Sequence, residues 1–328
     1  MNSINISKKK YDNLTKIELP KDVISTEANF YKLNYLGKIM VFKNLYRTSG
    51  PIFANKLFIL EMLNEYREIL PHNFVLPESL VSVDKEIMGF VLPFASGINM
   101  EMYLSDRGVS IKDKLKSIQN IGVTLDNLDH IRENSNLDCI YLNDLHASNF
   151  IVDPKTSDIK VVDLDSCRIC DSKPLPARYL NPKALLNRAP GQNKYDIYRK
   201  DLIPDLNNQV SNESQYKEYE KEYCKYANYR DLLGYVNSNA ESDLYCYIIL
   251  FLNYLYGENV GRFSLEEFYN YVCYLDKIGI NQELLEAIIK ITTNAPNENI
   301  GKYLDTLTEE QVFRANKNVY QIARKRLL

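Results

Sequence analysis

The chain has 328 residues, 45% of them hydrophobic and 25% charged, with a net charge of −3 at neutral pH. That length suits one two-lobed domain or two ordinary ones, and the slight acidity gives no sign of the basic excess that a nucleic-acid-binding face requires, so no nucleic-acid partner is expected. The most apolar run, Tyr245 to Leu255, is too short to cross a bilayer and contains Asn253, so it reads as a buried helix and no membrane association is expected.

The first residues are polar and lack the apolar segment of a signal peptide. The six cysteines are scattered, and a chain this long needs no disulfide framework. Cys167 and Cys170 form a C-x-x-C, but a structural zinc site needs four ligands and no second pair or matching histidine spacing exists. Ordinary reduced thiols and a cytoplasmic location are the expectation.

In chain order, residues 1–15 read as a polar tail, with Lys8–Lys10 a solvated cluster. From Lys16 to Leu45, short apolar runs with partial alternation predict strands at Ile17–Leu19, Val23–Ser25, Phe30–Leu36 and Ile39–Leu45, with Gly37-Lys38 as a tight turn. Phe53, Leu57, Leu60, Leu63 and Tyr66 recur at helical spacing and predict a helix from Ile52 to Leu70, stopped by Pro71. Ser79–Val83 and Ile87–Leu92 read as a hairpin around Asp84-Lys85, and Pro93 to Gly97 as a connector.

Beyond the connector the pattern turns mostly helical. Ile111, Leu115, Ile118, Ile121, Leu125, Leu128 and Ile131 form one apolar stripe on a helix from Ile111 to Arg132. Phe150–Val152 and Ile159–Leu164 read as strands about a turn at Asp153-Pro154. Helical patterns return at Asp243–Leu255, Leu265–Leu275, Gln282–Thr292 and near the C-terminus. The fold class expected is α+β: a small sheet with one helix, then a larger, mostly helical part.

Several residues match the needs of phosphoryl transfer, which asks a protein mainly for positioning and charge. Phosphates call for a lysine, magnesium for hard oxygen ligands and an acceptor hydroxyl for a carboxylate. Lys43 closes the apolar strand IMVFK, and Glu61 follows eighteen residues later inside the only helix of the first part. The segment LNDLHASN places Asp144 five residues before Asn149, and Asp163-Leu164-Asp165 ends the apolar run VVD. An Asp–Asn pair alone carries no information; the ordered set does.

With these elements the chain resembles the protein-kinase-like superfamily. LNDLHASN stands where the catalytic loop HRDLxxxN would, Asp163-Leu164-Asp165 where DFG would, and Lys43 in the manner of VAIK. The DLH wording is similar to aminoglycoside-phosphotransferase and atypical-kinase loops. Ser242–Gly257 looks like the long central helix of protein kinases, with Asp243 placed to brace the catalytic-loop backbone.

The resemblance implies a two-lobed fold, with an N-lobe over 16–95 and a C-lobe over 96–328 that carries an insertion at about 183–239. It implies ATP and Mg2+ as cofactors. Lys43 would contact the phosphates and be held by Glu61, and Asp144 would orient the acceptor hydroxyl. Asn149 and Asp163 would bind magnesium, with Asp165 as a further metal ligand. The Pro93 carbonyl and Ala95 N–H would take the adenine edge, and His146 would replace a phosphate-contacting lysine.

Four departures qualify this reading. The turn Ser25–Asn29 has no glycine, so backbone amides would approach phosphate less closely. Asn143 replaces an arginine that reads an activation-loop phosphate, which implies activity without such phosphorylation. Asp165 replaces the DFG glycine. Lys183 and Asn299 occupy the places of a buried glutamate–arginine pair, lost together. The tyrosine-rich insertion offers a structural brace or a docking platform for a partner. Three functions stay open: a protein kinase, a non-catalytic nucleotide-binding scaffold, and a kinase of small molecules such as aminoglycosides or choline. The phosphate acceptor, protein or small molecule, is not identified.

Overall fold

The computed structural model describes residues 1–18, 28–46, 48, 50–171, 240–293, 296 and 298–325. Strands and helices are numbered among these. The expected strand Val23–Ser25, most of the glycine-free turn, the segment around Lys183 and the 183–239 insertion lie outside the described residues.

The chain is α+β. Its N-terminal region holds β1 (Asn2–Ile6), α1 (Lys8–Asp12), β2 (Thr15–Lys16), β3 (Ala28–Tyr35), β4 (Lys38–Leu45), α2 (Gly50–Glu65), β5 (Ser79–Val83) and β6 (Glu86–Pro93). The strands form one six-stranded mixed sheet in the order β1-β5-β6-β4-β3-β2. All the pairings are antiparallel except β1 with β5.

Both hairpin turns place two consecutive residues at positive φ: Leu36 (50°) with Gly37 (77°), and Asp84 (49°) with Lys85 (78°). That backbone matches the right-handed twist of the flanking strands. The first turn is therefore centred on Leu36-Gly37, one residue earlier than expected.

The two faces of the sheet are covered differently. Phe53 and Leu60 of α2 pack with Ala28, Leu45, Leu80 and Phe90 on one face. On the other, Leu33, Met40, Phe42, Val81 and Val91 are covered by Ile6, Tyr11 and Leu14. The Tyr11 ring leans on Tyr31 and Phe42, and its hydroxyl accepts a 2.9 Å bond from the Asn44 amide. Residues 1–15 are therefore not a free tail. They cross one face of the sheet and pair with both of its described edges. The alternation within Asn2–Ile6 is too short and polar to reveal a strand whose partner lies 77 residues away in sequence.

After β6 come β7 (Ile98–Asn99), α3 (Met100–Ser105), α4 (Ile111–Asn134), β8 (Leu137–Tyr141), β9 (Phe150–Val152), β10 (Ile159–Val161) and β11 (Arg168–Asp171). The C-terminal part is helical: α5 (Ala240–Tyr256), α6 (Leu265–Lys277), α7 (Gln282–Ile289), α8 (Glu309–Ala315) and α9 (Lys317–Lys325). Ser110, Ser264 and Thr308 cap α4, α6 and α8 with side-chain oxygens on backbone N–H groups. A large core joins α4 and α5, through Ile118, Ile121, Leu125, Tyr247, Ile248 and Phe251, to Phe58, Ile59, Met62 and Leu63 of α2.

Helix α2 ends at Glu65, earlier than the expected Leu70. The chain then turns, and the Arg67 guanidinium reaches the Pro77 carbonyl. The second strand of the middle hairpin stops at Val161, because Asp163 takes a left-handed backbone and opens a 3-10 turn over Leu164–Ser166. Among the described residues no helix is long and apolar enough to cross a membrane.

Candidate functional site

Strand alternation puts Met40, Phe42 and Asn44 on one face of β4 and Lys43 on the other, beside α2. Lys43 pairs across the sheet with Phe90, and its ammonium lies 5.8 Å from that ring's centre. The residue is 4% exposed. A lysine buried this deeply needs counter-charges. The Lys43 ammonium pairs directly with an Asp163 oxygen and lies 2.7 Å from Asp165 Oδ1.

The other Asp165 oxygen, Oδ2, lies 2.7 Å from the ammonium of Lys56 on α2. Asp165 thus sits between two lysines and is 2% exposed, whereas the Asp163 side chain is 38% exposed. Burial alone would raise both carboxyls. Lys43 and Lys56 overcome it at Asp165 and hold that group well below the usual carboxylate range. At Asp163 burial outweighs Lys43, and the nearby Asp165 charge adds to the rise, so Asp163 is the more readily protonated of the two. Lys43, despite its burial, is held protonated by both aspartates.

This differs from the expected arrangement in two ways. Glu61 is not the ion-pair partner of Lys43; that place is taken by Asp163 and Asp165. The reason is helical geometry: Lys56 and Glu61 are five residues apart, about 140° around an α-helix, and Lys56 is the one aimed at Asp165. Asp165, expected as a metal ligand, has each oxygen occupied by a lysine ammonium and acts here as their counter-ion. Lys56 was missed because it follows Phe53 at a spacing of three and precedes Leu60 and Leu63 at four and seven, a buried stripe in which a lone lysine reads as an interruption.

The loop after β8 supplies the second half of the site. Asn143 is at positive φ (64°), and the turn closes with a 2.7 Å bond from Asp144 N–H to the Leu142 carbonyl. Buried Asp243, at the start of α5, accepts the N–H groups of Leu142 (2.8 Å) and Asn143 (3.0 Å) with its two oxygens. It therefore braces this loop from beneath. Burial pushes the Asp243 carboxyl up to about 6, against the pull of the two N–H donors and Arg132. The Asn143 side chain donates to the Ser166 carbonyl (2.9 Å), tying the loop to the Asp163–Asp165 segment. The loop's link to that segment was not legible from a residue noted only as a missing arginine.

The Asp144 side chain is 45% exposed, and its Oδ2 lies 3.4 Å from His146 Nε2. The Asn149 side-chain amide donates to the Asp144 backbone carbonyl (2.8 Å), and the Asn149 backbone carbonyl accepts the Val162 N–H (2.9 Å). That last bond carries the chain directly to Asp163. The Val161 N–H bonds the Asn73 carbonyl (2.8 Å) and its carbonyl accepts from Val75 (2.9 Å), anchoring the same segment to the chain beyond α2. Pro93 ends β6 opposite Met40, three residues beyond the strand partner of Lys43, and both Pro93 and Ala95 are half-buried.

The structure thus brings Lys43 to Asp163 and Asp165, and Asp144 to His146 and Asn149, with a backbone bond joining the two groups. Among the described residues no cluster of three or more His, Cys, Asp or Glu side chains could hold a metal alone. The oxygens on offer are the Asp163 carboxylate and the Asn149 side-chain carbonyl, whose amide nitrogen is already used. Both are hard oxygens of the kind magnesium takes from protein, one or two at a time beside waters and substrate phosphates. No protein-family model and no curated protein matches the sequence.

Proposed function

We propose that the protein is an ATP- and magnesium-dependent phosphotransferase with a two-lobed, protein-kinase-like architecture, and that its acceptor is a protein hydroxyl. The observation that carries this reading is the meeting of Lys43 with Asp163, 120 residues later in the sequence, beside a loop in which Asn149 is bonded to Asp144. Lys43 would bind the triphosphate. Asn149 and Asp163 would hold magnesium, whose charge would offset that developing on the phosphates. The half-exposed Asp144 would orient the acceptor hydroxyl, and the Pro93–Ala95 backbone would meet the adenine. A protein acceptor is favoured by the brace from Asp243 and α5 beneath the loop, which follows the protein-kinase pattern.

A second reading, a nucleotide-binding scaffold without turnover, is favoured by one observation: two carboxylates already neutralise the Lys43 ammonium and leave it one N–H donor for phosphate. Incubation with γ-labelled ATP and magnesium separates the readings. Label transferred to the protein itself or to an added protein, and lost in Asp144→Ala and Asp163→Ala, is the expected result. Nucleotide-dependent thermal stabilisation without turnover supports the scaffold. Turnover only with added aminoglycosides, sugars or amines moves the acceptor to small molecules. The absence of both stabilisation and turnover would overturn the phosphotransferase reading. Removal of Asp144 should lower kcat by about 10²–10⁴-fold and change the melting temperature far less than removal of a buried residue such as Asp165 would, because its side chain is 45% exposed.

A further inference from the structure

We propose that Lys56 and Asp165 are positioning residues for Lys43, so that helix α2 is coupled to the triphosphate subsite through a cation–carboxylate–cation relay and not through Glu61. This rests on the phosphotransferase reading and deepens it. Asp165 touches Lys43 through Oδ1 and Lys56 through Oδ2, each at 2.7 Å. The side chains of Lys43, Asp165 and Lys56 are 4%, 1% and 9% exposed, so water cannot substitute for a lost partner. With one oxygen on each ammonium, the Asp165 carboxylate cannot rotate about its own axis without breaking both contacts. The position of Lys56 therefore limits where the Lys43 ammonium can sit.

The helix is also held from both sides. Phe53 and Leu60 fix it to the sheet, while Phe58, Ile59, Met62 and Leu63 fix it to the helical core. A shift of α2 as a body therefore moves the Lys56 ammonium relative to Asp165, which the Leu164–Ser166 turn holds against the loop through Asn143. The placement of α2 is read out at Lys43 by way of a single carboxylate.

The test is titration of a fluorescent ATP analogue with magnesium into the full chain, together with KM and kcat for ATP. The variants are Lys56→Met, Lys56→Gln, Lys56→Arg and Asp165→Asn, each checked for folding by its melting curve. Lys56→Met should weaken analogue binding and raise KM about tenfold or more, the scale on which misplacing a reacting group is felt, with a smaller effect on kcat. Lys56→Arg should recover most of the affinity, and Asp165→Asn should lose at least as much as Lys56→Met. If Lys56→Met does not fold, Lys56→Gln, closer in size and polarity, carries the same test. Folded Lys56 variants that melt earlier but bind the analogue as tightly as the natural chain would overturn the relay and leave the phosphotransferase reading standing. A natural chain that binds no analogue would overturn that reading, and the relay with it.

Discussion

A carboxylate clamped between two ammonium groups in a dry interior is costly to dismantle, because removing it leaves like charges facing each other. Asp165→Leu should therefore destabilise the protein by about 3–5 kcal/mol, read as a drop in the urea midpoint. A double change, Asp165→Leu with Lys56→Met, should recover part of that loss, since it removes one of the stranded charges. Asp243 acts through protons. Its folded carboxyl is pushed up to about 6 from an ordinary 3.8, so the folded state favours the acid form. Its contribution is fully present below about pH 4 and is lost as pH rises through about 6, a difference of about 3 kcal/mol at 1.36 kcal/mol per unit. Asp243→Asn should remove that component of the pH dependence, measured by chemical denaturation between pH 4 and pH 7. At this scale the sequence was informative wherever chemistry fixes a spacing: Lys43, Asp144, Asn149, Asp163 and Asp243 were all named from motif order. It was uninformative where one helix offers several charged side chains, since choosing between Lys56 and Glu61 needs the rotation of α2 about its axis.

Pattern made the long helices and both N-terminal hairpins legible, because α4 carries a sustained stripe, α5 a long apolar run, and the hairpin strands alternate about short turns. Strands β7, β8 and β11 and helix α3 escaped because each is six residues or fewer and takes its identity from a distant partner, as β11 does in pairing Arg168 with Tyr141. Some short elements are nevertheless exacting. Gly89 lies opposite Asn44 on β6, where a Cβ would stand 1.9 Å from the Lys43 carbonyl oxygen. No rotamer relieves a clash with backbone, so Gly89→Ala should force β6 away from β4 and cost about 1–3 kcal/mol. Because the displaced carbonyl belongs to Lys43 itself, the same variant should weaken nucleotide binding in its folded fraction, testable by analogue titration. Gly122 on α4 is less strict, since its close neighbours are the side chains of Asn299 and Tyr247. Asn299, which the sequence marked only as a missing arginine, bonds the Gly122 carbonyl (2.8 Å) and Asp126 (2.7 Å) and so fastens the chain after α7 to α4.

The α+β division of the whole molecule was readable from the change in pattern near Pro93, but the course of its first residues was not. Strand β1 and helix α1 depend on contacts with β4 and β5, and no local periodicity announces them. Deleting residues 1–7 should remove the parallel pairing with β5 and the cover that Ile6 gives to Val81 and Val83, and should lower the melting temperature by several degrees. The same opening stretch of chain supplies the outermost strand at each end of the sheet, β1 beside β5 and β2 beside β3. A molecule trimmed past Lys16 would present two dissimilar open margins at once, each a row of unmatched peptide groups. Joining one margin to the other on the next molecule is a head-to-tail contact, so unless its rotation closes a ring the product would be a growing ribbon and not a dimer. Light scattering that rises continuously with concentration, without a plateau at twice the monomer mass, would be its signature.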